Sequence, residues 1–234
     1  MGPGGPVGNA DRAYAELVRA IATCQLPPGT AFNERDQAAA LGMSRTPLRQ
    51  ALHRLAFEGL VETIPQRGVY VSLLDSKEIT DNTVVREVLE VELLRQVIER
   101  GIALDFRELD QLMKRMKAAI EREDAVSFLE ADEEFHLTIA GAAGNRPARE
   151  AIHRSWIHVN RIRYLQHQGT KGLAAALAEH RAMLTGLRKG DAVGTEAAVR
   201  AHMRRSRARL AELSVLVPEA FTTRDAGLPE PRVK

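Results

Sequence analysis

The sequence predicts a mainly α-helical protein in two parts: three short helices closed by a β-hairpin, then an all-α helical bundle. Three observations predict it. Residues 42–61, GMSRTPLRQALHRLAFEGLV, combine a turn glycine, a capping serine and a leucine stripe at helical spacing. LVETI, PQRG and VYVSL read as strand, turn and strand. From Ser76 to Val215 the apolar residues recur almost only with helical period.

The elements follow in order. Residues 1–9, MGPGGPVGN, are rich in glycine and proline and are expected to be disordered. The first unit is assigned to 10–74. Its first helix, Ala10 to Thr23, carries Tyr14, Leu17, Val18 and Ile21 at helical spacing. LPPGT at 26–30 ends it, since paired prolines cannot continue a helix. Asn33 caps a second helix, with Asp36 three residues on, and Gly42 breaks it. Ser44 caps a third helix that stops at Gly59, and the hairpin follows. Helix, helix, tight turn, helix, hairpin is the order of a winged helix-turn-helix. Residues 75–82 are read as a linker and lead-in helix, and they hold the first lysine of the chain, Lys77. The bundle is assigned to 83–215, with helices over 82–100, 105–122, 124–140, 147–167, 172–188 and 191–214 and glycine-containing breaks at Gly101, 141–147, 168–172 and 189–191. Residues 216–234, punctuated by proline, are expected to form a flexible tail.

Composition bounds the function. The formal net charge is +2, and residues 1–75 hold seven arginines against seven acids, so bulk charge does not announce a nucleic-acid partner. Only the placement of charge can do so. There is one cysteine, Cys24, hence no intrachain disulfide. No apolar run reaches membrane-spanning length and no charged-then-apolar leader is present, so a cytoplasmic protein with no membrane partner is expected.

The third helix divides its faces. At about 100° per residue, Leu48, Ala51, Leu52 and Leu55 fall on one side. Arg45, Thr46, Arg49 and His53 fall on another, with Gln50 beside them. A helix that reads the major groove needs this division, and an arginine fork matches guanine O6 and N7. Ser44, Thr46 and the free N–H groups of the helix start suit a phosphate. Arg35 on the preceding helix points to the same groove, and Arg67 at the hairpin tip, beside Gly68, suits the minor groove or a phosphate. For any one arginine alone, an ordinary solvated face is the simpler explanation; the combination favours DNA.

LPPGTAFNERDQAAALGMSRTPLRQALHRLAFEGLVETIPQRGVYV resembles the DNA-binding domain of GntR-family transcriptional regulators, through PPG, the Glu-Arg helix, G-x-S-R-T-P-x-R-x-A-L-x-x-L, E-G-L-V and a glycine-containing wing. Gln37 and Gln50 depart from that pattern, the second beside the reading face. The resemblance implies that Arg35, Arg45, Arg49 and Gly68, with Thr46, contact operator DNA.

In the bundle, EADEEFHLTIA at 130–140 sets Asp132 and His136 at i and i+4, side by side on a helix. His180 and His202 lie on later helices. Three imidazoles and a carboxylate suit Zn²⁺ or another divalent transition ion such as Ni or Mn. Spacing alone also allows a plain Asp–His hydrogen bond, and leaves His153, His158 and His167 equally eligible.

The second part resembles the FCD effector-binding domain of the FadR subfamily, in its six-helix, VanR-like variant. The matching residues are Arg86 with Leu89 and Glu90, Asp132 with Phe135 and His136, Glu179 with His180, and His202; Arg146 interrupts the family's Gly-Asn-Pro turn. The resemblance implies a metal site of Asp132, His136, His180 and His202, and an organic-acid effector clamped by Arg86. Asn160, Arg163 and Tyr164 are further candidates to line that pocket, and five arginines over 200–209 read mainly as a solvated face. The expected protein is a ligand-responsive repressor, a homodimer on a pseudo-palindromic operator, and not an enzyme. A metal-dependent enzyme domain with an appended DNA-binding module, or a dedicated metal sensor, are the alternatives.

Overall fold

Helix α1 (Asn9–Ala22) opens a computed structural model that describes residues 8–165, 172–216 and 218–221. It is followed by β1 (Ala31–Phe32), α2 (Glu34–Ala40), α3 (Arg45–Phe57), β2 (Val61–Ile64) and β3 (Gly68–Val71). Then come α4 (Ser76–Glu99), α5 (Phe106–Glu121), α6 (Ala125–Ala142), α7 (Arg146–Leu165), α8 (Leu173–Lys189) and α9 (Ala192–Leu216). The chain divides into two compact units, the first running to Asp75 and taking in 218–221, the second Ser76–Leu216.

In the first unit α1 packs on α3: Ala13, Leu17 and Ile21 are buried with Leu48, Leu52 and Leu55. Tyr14 ties the pair at the surface. Its hydroxyl donates to Glu58 at 2.5 Å and Arg54 stacks on its ring at 3.5 Å. Asn33 caps α2 as the sequence predicts, its Oδ1 accepting from the N–H groups of Arg35 and Asp36. Ser44 departs from expectation: it holds the N-cap position of α3, but its side chain makes no capping bond. The hairpin is also larger than expected. Two residues after LPPG, β1 pairs antiparallel with β3, giving a three-stranded sheet of order β1-β3-β2. At the wing tip the chain turns through Gln66 at φ 63° and Gly68 at φ 107°, the second a conformation that side chains rarely adopt.

Three boundaries differ from the sequence reading. No break separates a lead-in helix over 75–82, because SKEITDNT contains neither glycine nor proline. Ile79 and Thr83 continue the buried face of α4, and the Thr80 and Thr83 hydroxyls bond back to the carbonyls of Ser76 and Ile79. Asn9, assigned to the disordered start, already belongs to α1. Part of the assigned tail is ordered: Pro218–Ala220 forms one 3-10 turn, Leu74 donates its N–H to Ala220 at 2.8 Å, and Leu74 bridges Phe221. Burial explains this, since Ala220 and Phe221 are both withdrawn from solvent. Residues 1–7, 166–171, 217 and 222–234 lie outside the described residues, and His167 with them.

In the second unit α4 lies against α9, α7 and α6, α5 against α6, and α8 against α9. Gly186 lets α8 and α9 meet, for a Cβ there would stand 2.2 Å from Thr195 Oγ1. Arg146 is accommodated at the exposed start of α7, where Asn145 caps the helix by accepting from Ala148 N–H at 3.1 Å. Trp156, fully buried among Leu93, Ala140, Ala148 and Ile152, anchors the end of the core from which the polar centre is built.

Candidate metal centre and nucleic-acid interface

Four helices of the bundle each send polar side chains inward. Glu90 and Arg86 come from α4, Asp132 and His136 from α6, His180 from α8 and His202 from α9, and all six are buried. Asp132, His136, His180 and His202 offer ligand atoms that lie within 4.8 Å of one another. His136 Nε2 faces His180 Nε2 at 3.1 Å. His180 Nε2 is 2.7 Å from Asp132 Oδ1, yet that oxygen has no partner of hydrogen-bonding geometry. His202 Nε2 is likewise buried without one. Lone pairs pointing at a common place, short of protons to share, are the donor set a divalent transition ion takes.

Most of the remaining atoms of these groups are held, His180 Nδ1 excepted. His202 Nδ1 meets Glu179 Oε2 at 2.8 Å, and His136 Nδ1 meets Glu90 Oε2 at 2.6 Å. Arg163 Nη1 donates to Asp132 Oδ2 at 2.9 Å and Arg86 Nε to Glu90 Oε1. The Arg86 guanidinium stacks on Trp156 at 3.6 Å, and its Nη1 and Nη2 are buried without partners.

Burial sets the charge states. It pushes His202 down to about 3 and lowers His136 as well, against the pull of the adjacent carboxylates. Burial alone would raise Glu90 and Asp132, but their neighbours outweigh it: Arg86 and the His136 ring bring Glu90 down to about 2, and the His180 ring and Arg163 hold Asp132 well below the usual range. The stability consequence has a definite sign. Below the ordinary histidine value of 6.5 the unfolded chain binds protons that folded His202 and His136 refuse, so acid favours unfolding. The metal-free protein should therefore lose thermal stability as pH falls from 7.5 to about 5. Melts across that window check this, and a flat profile would contradict the buried neutral histidines.

The DNA-facing candidates belong to the other unit. Ser44, Arg45, Thr46, Arg49, Arg35, Arg67 and Gly68 are all exposed. Arg49 Nε donates to Glu34 Oε2 at 2.8 Å, and Arg45 Nη2 lies 3.5 Å from the same oxygen. The Arg49 hydrogen bond lowers the Glu34 carboxyl below its ordinary value, keeping the clamp anionic. Both side chains remain more than half exposed, Arg45 at 61% and Arg49 at 59%.

A family model of the FCD domain matches residues 81–205, more than half of the chain, and the model described as bacterial regulatory proteins, gntR family, matches residues 9–71. The chain is a GntR-family transcriptional regulator with an FCD domain. The HTH-type transcriptional repressor RspR of Escherichia coli strain K12 is 28% identical over 203 residues, 87% of this chain and 88% of that protein. An HTH-type regulator from an unstable DNA locus of Streptomyces ambofaciens is 29% identical over 219 residues, 92% of this chain and 91% of that one. In fold the chain is similar to the structure of E. coli McbR/YncC, with a TM-score of 0.81 at 21% identity, covering 88% of this chain and 99% of that one. GntR-family regulators bind operator DNA and are typically dimers, FCD domains often bind metals, and the family is one of regulators, not enzymes. Among the described residues no helix is long and apolar enough to cross a membrane.

Within this GntR-family regulator, sequence reasoning overlooked the clamp Glu34 and the orienting roles of Glu90 and Glu179. It left Arg163 as one of several pocket candidates, although that residue reaches the aspartate of the cluster itself. Asn160 instead donates to Glu133 at 3.0 Å, Tyr164 is buried, and His153 is exposed beside Glu133. The arginine run 200–209 is not simply a solvated face. Arg200 and Arg207 both reach Glu87 of α4, and Arg205 reaches Glu179 of α8, so three of its arginines serve the bundle.

Proposed function

We propose that this regulator is a ligand-responsive repressor whose FCD domain holds a divalent transition metal and a small carboxylate effector. As a homodimer it would present two reading heads, with Arg35, Ser44, Arg45, Thr46, Arg49, Arg67 and Gly68, to a pseudo-palindromic operator. Asp132, His136, His180 and His202 would hold the ion, with Zn the first choice and Ni or Mn the alternatives. When bound, the ion supplies a fixed positive centre able to bind an anion.

One observation carries the effector reading: the buried, unpartnered Nη1 and Nη2 of Arg86, which Glu90 links to His136 of the four-ligand cluster. The charges support it. Arg86 and Arg163 are offset by Glu90 and Asp132. The two positive charges of an ion would then remain, in a site where uncompensated charge is costly. An incoming carboxylate offsets them and satisfies the Arg86 fork with bidentate geometry. Differential affinity for the effector between two states of the dimer then shifts operator affinity.

The test is a titration of the metal-loaded protein with a panel of organic acids, followed by operator binding with each acid that binds. A carboxylate should bind and release the operator. Arg86→Ala should weaken that binding at least about tenfold, with little change in metal content. An effector that proves cationic or neutral and apolar, or an affinity unchanged in Arg86→Ala, would overturn the carboxylate reading.

A further inference from the structure

We infer that Glu90 is a positioning residue that sets the metal ligand His136 and the anion clamp Arg86 together, through the two oxygens of one carboxylate. The inference rests on the metal reading above for its affinity test, but its core statement concerns the tautomer of His136 in this chain alone.

Glu90 follows Arg86 by one helical turn on α4, and its side chain is 6% exposed. One oxygen takes the Nε–H of Arg86, and the other lies 2.6 Å from His136 Nδ1, across 46 residues of sequence. An ionised carboxylate only accepts, so His136 must carry its proton on Nδ1. Its Nε2 then keeps a free lone pair, and Nε2 is the atom that faces His180 at 3.1 Å inside the cluster. The same carboxylate pins Arg86 by Nε against the Trp156 ring at 3.6 Å. The guanidinium plane is thereby fixed, and the Nη1/Nη2 end is left as the edge presented to a ligand.

The other histidines show that this arrangement is particular. Glu179 orients His202 at 2.8 Å, but it takes both Nε and Nη2 of Arg205, each at 2.7 Å, and Arg205 is one-third exposed. His180 Nδ1 is buried with no hydrogen-bond partner. Among the described residues, Glu90 alone joins a ligand of the cluster to a buried guanidinium whose fork is unpartnered.

Glu90→Gln separates this from a packing role. The amide is the same size but has one accepting oxygen and one donating NH₂. Arg86 can only donate, so it claims the oxygen. The NH₂ then faces His136 Nδ1, which must accept, and the ring proton moves to Nε2, where it blocks the lone pair the ion needs. Imidazole ¹⁵N shifts of the metal-free protein should show Nδ1–H in the wild type and Nε2–H in Glu90→Gln. Zn²⁺ affinity, measured by chelator competition, should fall about 10–100-fold in Glu90→Gln, the usual cost of a lost orienting partner. Glu92→Gln, on the exposed part of α4, should change neither. Adding Arg86→Ala to Glu90→Gln should restore the Nδ1–H tautomer and most of the lost affinity, because the amide oxygen is then free to turn to His136. An Nε2–H tautomer in the wild type overturns the inference without any mutant. So does a folded Glu90→Gln variant with unchanged tautomer and Zn²⁺ affinity, or a double variant no better than Glu90→Gln. Should the wild type bind no Zn²⁺ at all, the metal reading fails while the tautomer measurement still decides the role of Glu90.

Discussion

Arg49→Ala is expected to weaken binding to the cognate operator by about 1–3 kcal/mol and to relax the preference at one base position, with Arg45→Ala acting in the same range. Both residues stand in the first two turns of α3, four residues apart and exposed, on a face that adjoins the buried stripe of Leu48, Leu52 and Leu55. Glu34 makes their role readable. It takes Arg49 by Nε at 2.8 Å, which leaves the terminal Nη pair for a base edge or a phosphate, whereas Arg45 is held more loosely at 3.5 Å. An anchored fork loses less rotational freedom on binding than a free one. Removing the anchor with Glu34→Gln should therefore act in the other sense on non-specific DNA: more free positive charge, tighter binding to random duplex, and a smaller ratio of specific to non-specific affinity. Fluorescence anisotropy with a selected operator and a scrambled duplex, at several salt concentrations, measures both. If Arg45→Ala and Arg49→Ala fold normally and keep wild-type operator affinity, α3 does not read DNA through these residues. If Glu34→Gln leaves the specificity ratio unchanged, the clamp is merely an ion pair at the surface.

What the sequence made legible was local. The leucines of α3, the prolines that end α1 and the Asp132–His136 pair all depend on partners within about one or two helical turns, and periodicity reports such neighbours directly. The clamp on Arg45 and Arg49 spans 11 and 15 residues across a turn whose geometry no spacing rule gives. Glu90 was visible only as part of the motif that joins it to Arg86 and Leu89; that its second oxygen reaches His136 is decided by how α4 packs on α6. Two-residue β1 is too short to show alternation, and it forms because β3 offers it an edge. The 218–221 segment was obscured for the opposite reason. PEAF looks like a loop by composition, and its order comes from the burial of Ala220 and Phe221 beside Leu74. Histidine identity was the sharpest case: spacing left six histidines of the bundle eligible, the family resemblance singled out three, and packing brings His136, His180 and His202 together beside Asp132.

Metal removal should have the largest effect on the second unit. His180 is fully buried at the centre of the cluster, 2.7 Å from Asp132 Oδ1 and 3.1 Å from His136 Nε2, so its loss removes one donor and loosens the placement of two others. Loss of a merely orienting partner commonly costs about 10–100-fold in metal affinity, so His180→Ala should exceed roughly 100-fold. Stability should follow by mass action. Free Zn²⁺ at about 1,000 times its dissociation constant stabilises the folded state by about 4 kcal/mol. For a chain of this size each kcal/mol moves the melting temperature by about 2–4 °C, so the wild type should gain on the order of 10 °C on reconstitution. His180→Ala should gain almost nothing at the same concentration. His153→Ala is the matched control, because that ring is exposed and faces Glu133 at 2.9 Å outside the cluster, and it should behave as the wild type. Proton competition sharpens the result. The cluster binds an ion through neutral imidazoles, so affinity should weaken as acid favours protonated rings in competition with the ion. Elemental analysis after reconstitution and a chelator titration at two pH values would check stoichiometry and affinity together. Protein that takes up no divalent transition metal under these conditions, or a His180→Ala variant that takes it up as the wild type does, would leave Asp132, His136, His180 and His202 as a buried polar network and remove the ion from the account of this domain.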